Sequence, residues 1–145
     1  MKALLAVLAG TTLLVLAGCQ GSLPTAPSEL TTGIVVYEHA NFLGRSAHIA
    51  NNVSDLNDFT GPCETVIDTP TYPSGSTTTT IHNWNDCISS IRVSAGWQAT
   101  MYRDTDFKGQ SLDIVSDVAN LQLVMGSCPQ RGLNDCISSI RVSSK

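Results

Sequence analysis

The sequence predicts an all-β domain, an antiparallel sandwich assembled from two copies of one motif. The first observation is an alternation of apolar and polar residues in short segments, as in Ile91-Arg92-Val93 and the same tripeptide at 140–142. A period of two is typical of half-buried strands. No stretch after residue 33 sustains an apolar face with helical spacing. The second observation is an internal repeat.

The repeat is defined by two pairs of segments. Residues 85–94 (NDCISSIRVS) recur without change at 134–143, at an offset of 49. Upstream, Tyr37 to Ser46 aligns with Tyr102 to Ser111 at an offset of 65. The first repeat therefore carries 16 additional residues between Cys63 and Asn85. This insert contains two prolines, a glycine and a run of four threonines, a composition that predicts a surface loop.

Composition excludes some classes of function. The 145-residue chain has 8 basic and 12 acidic side chains, a net charge of −4, and only 14% charged residues. It has no cluster of Lys or Arg, which argues against nucleic acid as a partner. It also has no phosphate-binding glycine loop and no Ser-His-Asp arrangement, so we expect no enzymatic activity.

The N-terminus reads as a secretory leader. Lys2 precedes an apolar stretch that ends in Ala17-Gly18-Cys19, which predicts a signal peptide over residues 1–18. Residues 16–19 resemble the lipobox of bacterial lipoproteins, which implies that Cys19 carries the lipid, including palmitate, and becomes the mature N-terminus. Gln20 after the cysteine implies the outer membrane of a bacterial envelope. The alternative is an ordinary signal peptide with an incidental cysteine. Residues 19–32 then form a tether before a domain at 33–145.

The domain resembles the microbial βγ-crystallins. Their signature is an aromatic residue, four residues, a second aromatic, any residue and a glycine, here at 37–44 and 102–109. The resemblance implies a sandwich of two Greek-key motifs, over about 33–94 and 97–143. Its glycines, Gly44 and Gly109, are expected at a positive φ that a Cβ would penalise. Trp97 falls where the family commonly places a core aromatic.

The resemblance also implies a calcium site in each repeat. The identical segments match the family's calcium motif, Asn/Asp-Asn/Asp-x-x-Ser/Thr-Ser, which supplies the oxygen ligands that calcium prefers. A backbone carbonyl from the first hairpin of the opposite repeat would complete each site, so that both repeats build both sites and two Ca²⁺ ions bind. The implied ligands are Asn85, Asp86, Cys87, Ser89, Asn134, Asp135, Cys136, Ser138, Glu38 and Arg103. The alternative is that these residues only cap turns.

Four cysteines remain besides Cys19, and they are equivalent between the repeats. Three pairings are open, and repeat symmetry favours Cys63 with Cys87 and Cys128 with Cys136. An exported protein is where such bridges persist. A zinc site formed by Cys63, His82 and Cys87 is an alternative, but the spacing lacks a paired motif.

The predicted function is therefore calcium binding by an envelope lipoprotein, with calcium-dependent stability and a structural, stress or adhesion role. The alternative function is a protease inhibitor or toxin-like effector that uses the loop at 64–83. The sequence names no protein or glycan partner. The membrane is implied as a partner only through the lipid.

Overall fold

The computed structural model describes residues 31–125 and 132–145, which form eight strands and two short 3₁₀ turns. The predicted signal peptide, Cys19 and Cys128 lie outside the described residues. No helix in the described part of the chain is long and apolar enough to cross a membrane. The strands are β1 Ile34–His39, β2 Leu43–Ile49, β3 Cys63–Thr71, β4 Gly75–Asn83, β5 Ser90–Val93, β6 Trp97–Asp104, β7 Lys108–Ile114 and β8 Ser139–Ser144. The all-β prediction is confirmed.

The two repeats build two equivalent antiparallel sheets. The first sheet has the strand order β2-β1-β5 and the second has the order β7-β6-β8. Ile34 lies opposite Ile49 and Val93, and Ala99 lies opposite Ile114 and Val142, so the two sheets share one register. The predicted alternation therefore places one face of each sheet toward a common interior.

Each sheet takes its fourth member from the other repeat. Val53 of the first repeat bridges to Ile140 in β8, and Val118 of the second repeat bridges to Ile91 in β5. Both bridges are closed by reciprocal backbone hydrogen bonds of 2.8–3.0 Å. This exchange interlocks the repeats, so the two Greek keys form one domain.

The core lies between the sheets and consists of repeat-equivalent residues. Ile91 and Ile140 are fully buried, as are Leu56 and Leu121. Burial of each such side chain stabilises the fold by roughly 1.5–3 kcal/mol. The core aromatic is Trp84, which is 2% exposed. The expectation for Trp97 was wrong: it opens β6 and is only half-buried.

The insert lies at the surface as predicted, but it forms regular strands and is not a loop. It forms a hairpin in which β3 and β4 pair over nine consecutive residue pairs, from Cys63 opposite Asn83 to Thr71 opposite Gly75. Residues 66–82 are all exposed. The hairpin projects from the sandwich as a separate two-stranded sheet.

Candidate metal centre

A folded hairpin in each repeat sets the position of the site. Asn41 and Phe42 between β1 and β2 have φ values of 61°, and Asp106 and Phe107 between β6 and β7 have φ values of 56° and 59°. Such values are uncommon for residues with a Cβ, so other contacts must hold them. The signature glycines that follow have φ values of 78° and 74°, as predicted.

The last serine of each motif holds its hairpin folded. Ser90 Oγ accepts a hydrogen bond from the Phe42 backbone N–H at 3.0 Å and donates to the His39 carbonyl at 2.6 Å. Ser139 makes the same pair of bonds in the second repeat, at 3.0 Å and 2.6 Å. Ser90 and Ser139 are fully buried. Their hydroxyl groups are therefore used by the fold and are not offered to a ligand.

Arginine side chains cover the folded hairpins. The guanidinium of Arg92 lies 4.5 Å from the ring centroid of Phe42, and that of Arg141 lies 4.4 Å from Phe107. A cation over an aromatic face at such distances stabilises by about 0.5–1 kcal/mol at an exposed site. The Arg in each Ser-Ile-Arg-Val segment thus has a defined structural role.

The two motif loops contact each other across the domain. The Asp86 backbone N–H donates to the Ile137 carbonyl at 3.2 Å, and the Asp135 N–H donates to the Ile88 carbonyl at 3.5 Å. Asp86 and Asp135 share a φ of 50°. Identical sequences therefore form the same turn twice. The two acidic residues lie close to the place where the motif loops meet, which we call the junction.

The first residue of each motif orients the acidic side chain that follows it. Asn85 Nδ2 donates to Asp86 Oδ2 at 2.9 Å, and Asn134 Nδ2 donates to Asp135 Oδ2. The Oδ1 atom of Asn85 is buried and has no hydrogen-bond partner. A buried carbonyl oxygen without a partner carries a desolvation cost, which a bound ion or an ordered water would relieve.

Electrostatics at the junction favour a cation. Burial raises the pKa of Asp86 above its usual 3.8, and the nearby charge of Asp135 raises it further, against the opposing hydrogen bond from Asn85. Two carboxylates that repel each other in a partly desolvated place are stabilised by a positive ion between or beside them. In the first motif, positions one and two thus combine an unpartnered oxygen on Asn85 with the negative charge of Asp86 and the nearby Asp135.

Glu38 and Arg103 hold equivalent positions in β1 and β6, and their side chains turn to local partners. Glu38 Oε2 accepts from the backbone N–H and Nε of Arg45, which lowers the pKa of Glu38. Arg103 Nε donates to Asp104 Oδ1 at 3.0 Å, and this contact raises the pKa of Arg103. Both side chains therefore have local partners. The groups of Glu38 and Arg103 that remain as candidate metal ligands are their backbone carbonyls.

Backbone hydrogen bonds show which hairpin each motif contacts. Ser89 N–H donates to the Tyr37 carbonyl at 2.9 Å and Ser138 N–H donates to the Tyr102 carbonyl at 3.0 Å, so each motif lies against the hairpin of its own repeat. We expected the carbonyls of Glu38 and Arg103 to serve the opposite repeat. The repeats contact each other here through the Asp86 and Asp135 N–H groups. The Leu56 N–H also donates to the Ser138 carbonyl, and the Leu121 N–H donates to the Ser89 carbonyl, both at 2.9 Å.

The donor set suits calcium better than a transition metal. The described residues contain no group of three or more His, Cys, Asp or Glu side chains that could hold a metal ion. Each motif offers one carboxylate, one amide oxygen and the hydroxyl of Ser89 or Ser138, with backbone carbonyls nearby. Hard oxygen donors of mixed charge are the ligands that calcium takes, so the residues present fit that ion.

The cysteines are structural. Cys63 and Cys87 form a disulfide across a sequence separation of 24, as the repeat symmetry predicted. This bond excludes the zinc alternative, because neither sulfur is available as a thiolate. Cys136 is also disulfide-bonded, and its predicted partner, Cys128, lies outside the described residues.

Comparison with known proteins places the chain in context. The model of peptidase inhibitor family I36 matches residues 36–113, from β1 to β7, which includes the β3–β4 hairpin. No curated protein matches the chain.

Solved structures share the fold. A βγ-crystallin domain from Flavobacterium johnsoniae is 29% identical, with a TM-score of 0.52 over 77% of this chain and 94% of that chain. A structure from work on the evolution of the eye lens βγ-crystallin domain fold is 24% identical, with a TM-score of 0.58 over 83% and 94%. A βγ-crystallin domain from Clostridium beijerinckii is 18% identical, with a TM-score of 0.52 over 79% and 100%. The predicted βγ-crystallin-type sandwich is thus confirmed.

Proposed function

The chain belongs to peptidase inhibitor family I36, and we propose that it acts as a calcium-binding βγ-crystallin domain of a bacterial envelope lipoprotein. The observation that carries the calcium proposal is the buried, unpartnered Oδ1 of Asn85, next in sequence to the Asp86 carboxyl group, whose pKa is raised. Calcium stabilises the folded domain in this proposal, and the protein has no enzymatic activity.

Each motif would hold one ion with its own oxygens. In the first repeat these are the side chains of Asn85, Asp86 and Ser89 and the carbonyls of Cys87 and Glu38. The second repeat supplies Asn134, Asp135 and Ser138 with the carbonyls of Cys136 and Arg103. A bound ion supplies positive charge that offsets the repulsion between the two carboxylates. With one carboxylate per motif, we expect dissociation constants of roughly 10⁻⁵ to 10⁻³ M.

Calorimetric titration and thermal melting test this proposal. We expect two ions per chain, and a stabilisation of about 2.7 kcal/mol per site at a hundredfold excess over the dissociation constant. Ser89→Ala and Ser138→Ala are a matched pair, and each should weaken one site while largely sparing the other. If calcium changes neither the titration heat nor the melting temperature, the motifs are only turns.

The lipid anchor is tested separately. The proposal expects the chain to incorporate labelled palmitate and to partition into detergent, because several acyl chains each contribute roughly 0.8 kcal/mol per buried methylene. Cys19→Ala should abolish the label. Labelling that persists in this variant contradicts the anchor and leaves the calcium proposal unaffected.

A second candidate function is peptidase inhibition, favoured by the family match and by the exposed β3–β4 hairpin. Replacement of residues 67–79 by Asn-Gly tests it, because Val66 and Thr80 are already cross-strand partners and accept a two-residue turn. Inhibition across a panel of peptidase classes should disappear in this variant while calcium binding persists. Absence of inhibition by the unmodified chain rejects the candidate.

A further inference from the structure

The β3–β4 hairpin is a sheet of only two strands with little support from the rest of the domain. Its nine cross-strand pairs follow without a bulge, and residues 66–82 are exposed. Its described contacts with the sandwich lie at its base, where Cys63 bonds to Cys87 and the Gly61 N–H donates to the His82 carbonyl at 3.3 Å. An isolated two-stranded hairpin is marginally stable in water, whereas three or more strands are stable. The hairpin is therefore suited to receive another strand.

The two outer edges of the hairpin differ. The β3 edge carries Glu64, Asp68 and Pro70, and charges and a proline without an N–H discourage strand addition at an edge. The β4 edge from Gly75 to Ile81 has no charge, no proline and no bulge. No strand in the described part of the chain pairs with this edge. The β4 edge thus lacks the features that normally protect an exposed strand.

The composition of β4 favours a second copy of itself. We infer that the outer edge of β4 pairs antiparallel with β4 of a second chain about a two-fold axis, which forms a four-stranded sheet β3-β4-β4-β3. Antiparallel pairing about this axis sets the Thr77–Thr80 run against its own copy, and Thr–Thr cross-strand pairs stabilise such sheets. A two-fold contact uses the same patch on both chains, which a self-complementary strand satisfies.

The net charge of the chain and the exposed apolar residues of the hairpin also favour a second copy of this chain as the partner of β4. The chain has a net charge of −4, so a contact between two copies adds the least repulsion where the contacting strand carries no charge. Ile67 and Ile81 lie on one face of the hairpin and are 43% and 36% exposed. A four-stranded sheet gives this face twice the width. The inference goes beyond calcium binding and does not depend on it.

Sedimentation of the full chain over a concentration series tests the inference. We expect a reversible monomer–dimer equilibrium with a dissociation constant in the micromolar range or weaker, because a strand-edge contact is smaller than a standard interface of about 1,600 Å². Hydrogen exchange in β4 should slow as concentration rises, while exchange in β3 should not change. The result should be the same in calcium and in chelator.

Two lysine variants provide a matched comparison. Thr79→Lys in β4 and Thr69→Lys in β3 change the same face of the hairpin by the same charge. Thr79→Lys should raise the dimer dissociation constant about tenfold or more, because the two-fold axis brings both lysines together. Thr69→Lys should change it less than twofold, and both variants should keep the melting temperature of the parent chain.

The inference is overturned by a chain that stays monomeric at about 1 mM, a weak limit for a specific contact. It is also overturned if both lysine variants affect the dimer equally, or if a dimer forms without protection of β4. A monomeric chain whose binding to a peptidase is abolished by Thr79→Lys would assign the β4 edge to that enzyme instead. None of these results changes the calcium titration, so the two proposals fail independently.

Discussion

The two repeats present the same ten-residue segment in different surroundings. In the first repeat the segment follows the β3–β4 hairpin and is bonded to its base through Cys63–Cys87. In the second repeat the equivalent connection is 16 residues shorter. Both segments nevertheless form the same turn, with Asp86 and Asp135 at a φ of 50°. The turn therefore depends on the motif and on its contacts with the folded hairpin and the other motif, and the upstream insert can vary without altering it.

The residue before each motif shows where the repeats do differ. Trp84 in the first repeat corresponds to Leu133 in the second, and both are buried. A Cβ on Gly61 would clash with the Asn83 carbonyl oxygen and lie 2.5 Å from the Trp84 ring, so the glycine allows a close approach to both. The core thus contains a larger side chain at the base of the hairpin than at the equivalent position in the second repeat.

The largest expected loss of stability comes from truncating the core side chains at these two equivalent positions. Trp84→Ala should lower the free energy of unfolding by about 3–5 kcal/mol, because it leaves a cavity between the sheets. Leu133→Ala should cost less, about 2–4 kcal/mol, because it removes a smaller side chain. Denaturant unfolding measures both. A smaller loss for Trp84→Ala than for Leu133→Ala would show that the hairpin end of the core is loosely packed.

The sequence predicted the sandwich because its strands alternate and its repeats match. Residues such as Ile34 and Val36 are buried with the period of two that the sequence shows. The hairpin was missed because its strands bury neither face, so they have no such alternation. Its Val, Ile and Thr residues are nonetheless typical of strands. That signal competed with two prolines and a run of threonines, which are also typical of loops.

The second prediction concerns the disulfide at the base of the hairpin, Cys63–Cys87. Replacing both Cys63 and Cys87 by Ala should lower the free energy of unfolding by about 3 kcal/mol, since the bond closes a loop of 24 residues in the unfolded chain. Cys87 is also the third residue of the first motif. We therefore expect this variant to weaken the first calcium site more than the second.

Calorimetry on the double variant and on a Ser138→Ala variant separates these effects. The double variant should lose affinity at one of two sites, and adding Ser138→Ala should weaken the other. If the double variant binds two ions with unchanged affinities, the disulfide only stabilises the fold. Equal weakening of both sites would show that the motif loops respond as one unit through the Asp86–Ile137 and Asp135–Ile88 contacts.

Some residues of the candidate metal site could be predicted from the sequence, and others could not. The motif positions were read directly from the repeated segment, and the resemblance implied that the first serine of each pair, Ser89 or Ser138, supplies the hydroxyl ligand. The structure shows that Ser90 locks the hairpin, which leaves Ser89 as the available hydroxyl. The expected link between repeats through Glu38 and Arg103 required knowledge of which hairpin each motif contacts. That contact depends on strand pairing and is absent from local sequence.

The third prediction is a pH dependence at the junction of the motifs. The pKa of Asp86 is raised in the folded state, so protonation favours the calcium-free fold. Its stabilising effect is present at low pH and is lost as the pH rises through the raised pKa. Calcium needs the carboxylate, so the melting shift caused by calcium should shrink as the pH falls from about 7 to about 4.

Thermal melts in calcium and in chelator across this range check the prediction. In chelator, the parent chain should become more stable as the pH falls, and Asp86→Asn should remove this rise in melting temperature. Glu38→Gln is the control, because the pKa of Glu38 is lowered by Arg45 and its contribution has the opposite sign. Its stabilising effect is present above the ordinary value of 4.5 and is lost as the pH falls. A calcium shift that stays constant with pH would mean that Asp86 does not bind the ion.

The smallest expected effect is that of removing the hairpin. Replacing residues 67–79 by Asn-Gly retains Cys63, Asn83 and the cross-strand pair Val66–Thr80. Because the removed residues are exposed, we expect the free energy of unfolding to change by less than about 1 kcal/mol. The measurement belongs at low protein concentration, where pairing between copies contributes nothing.

Asn83→Ala supplies the contrast at the base of the hairpin. Asn83 is buried, accepts from the Asn85 N–H at 3.0 Å and donates to Thr65 Oγ1 at 2.9 Å. Its loss leaves the Asn85 N–H without this partner, at a cost of roughly 1–3 kcal/mol. The single substitution should therefore destabilise the domain more than deletion of the thirteen exposed residues. If the deletion proves the more costly, the hairpin strands support the sandwich directly, and the first repeat depends on its insert in a way that the second does not.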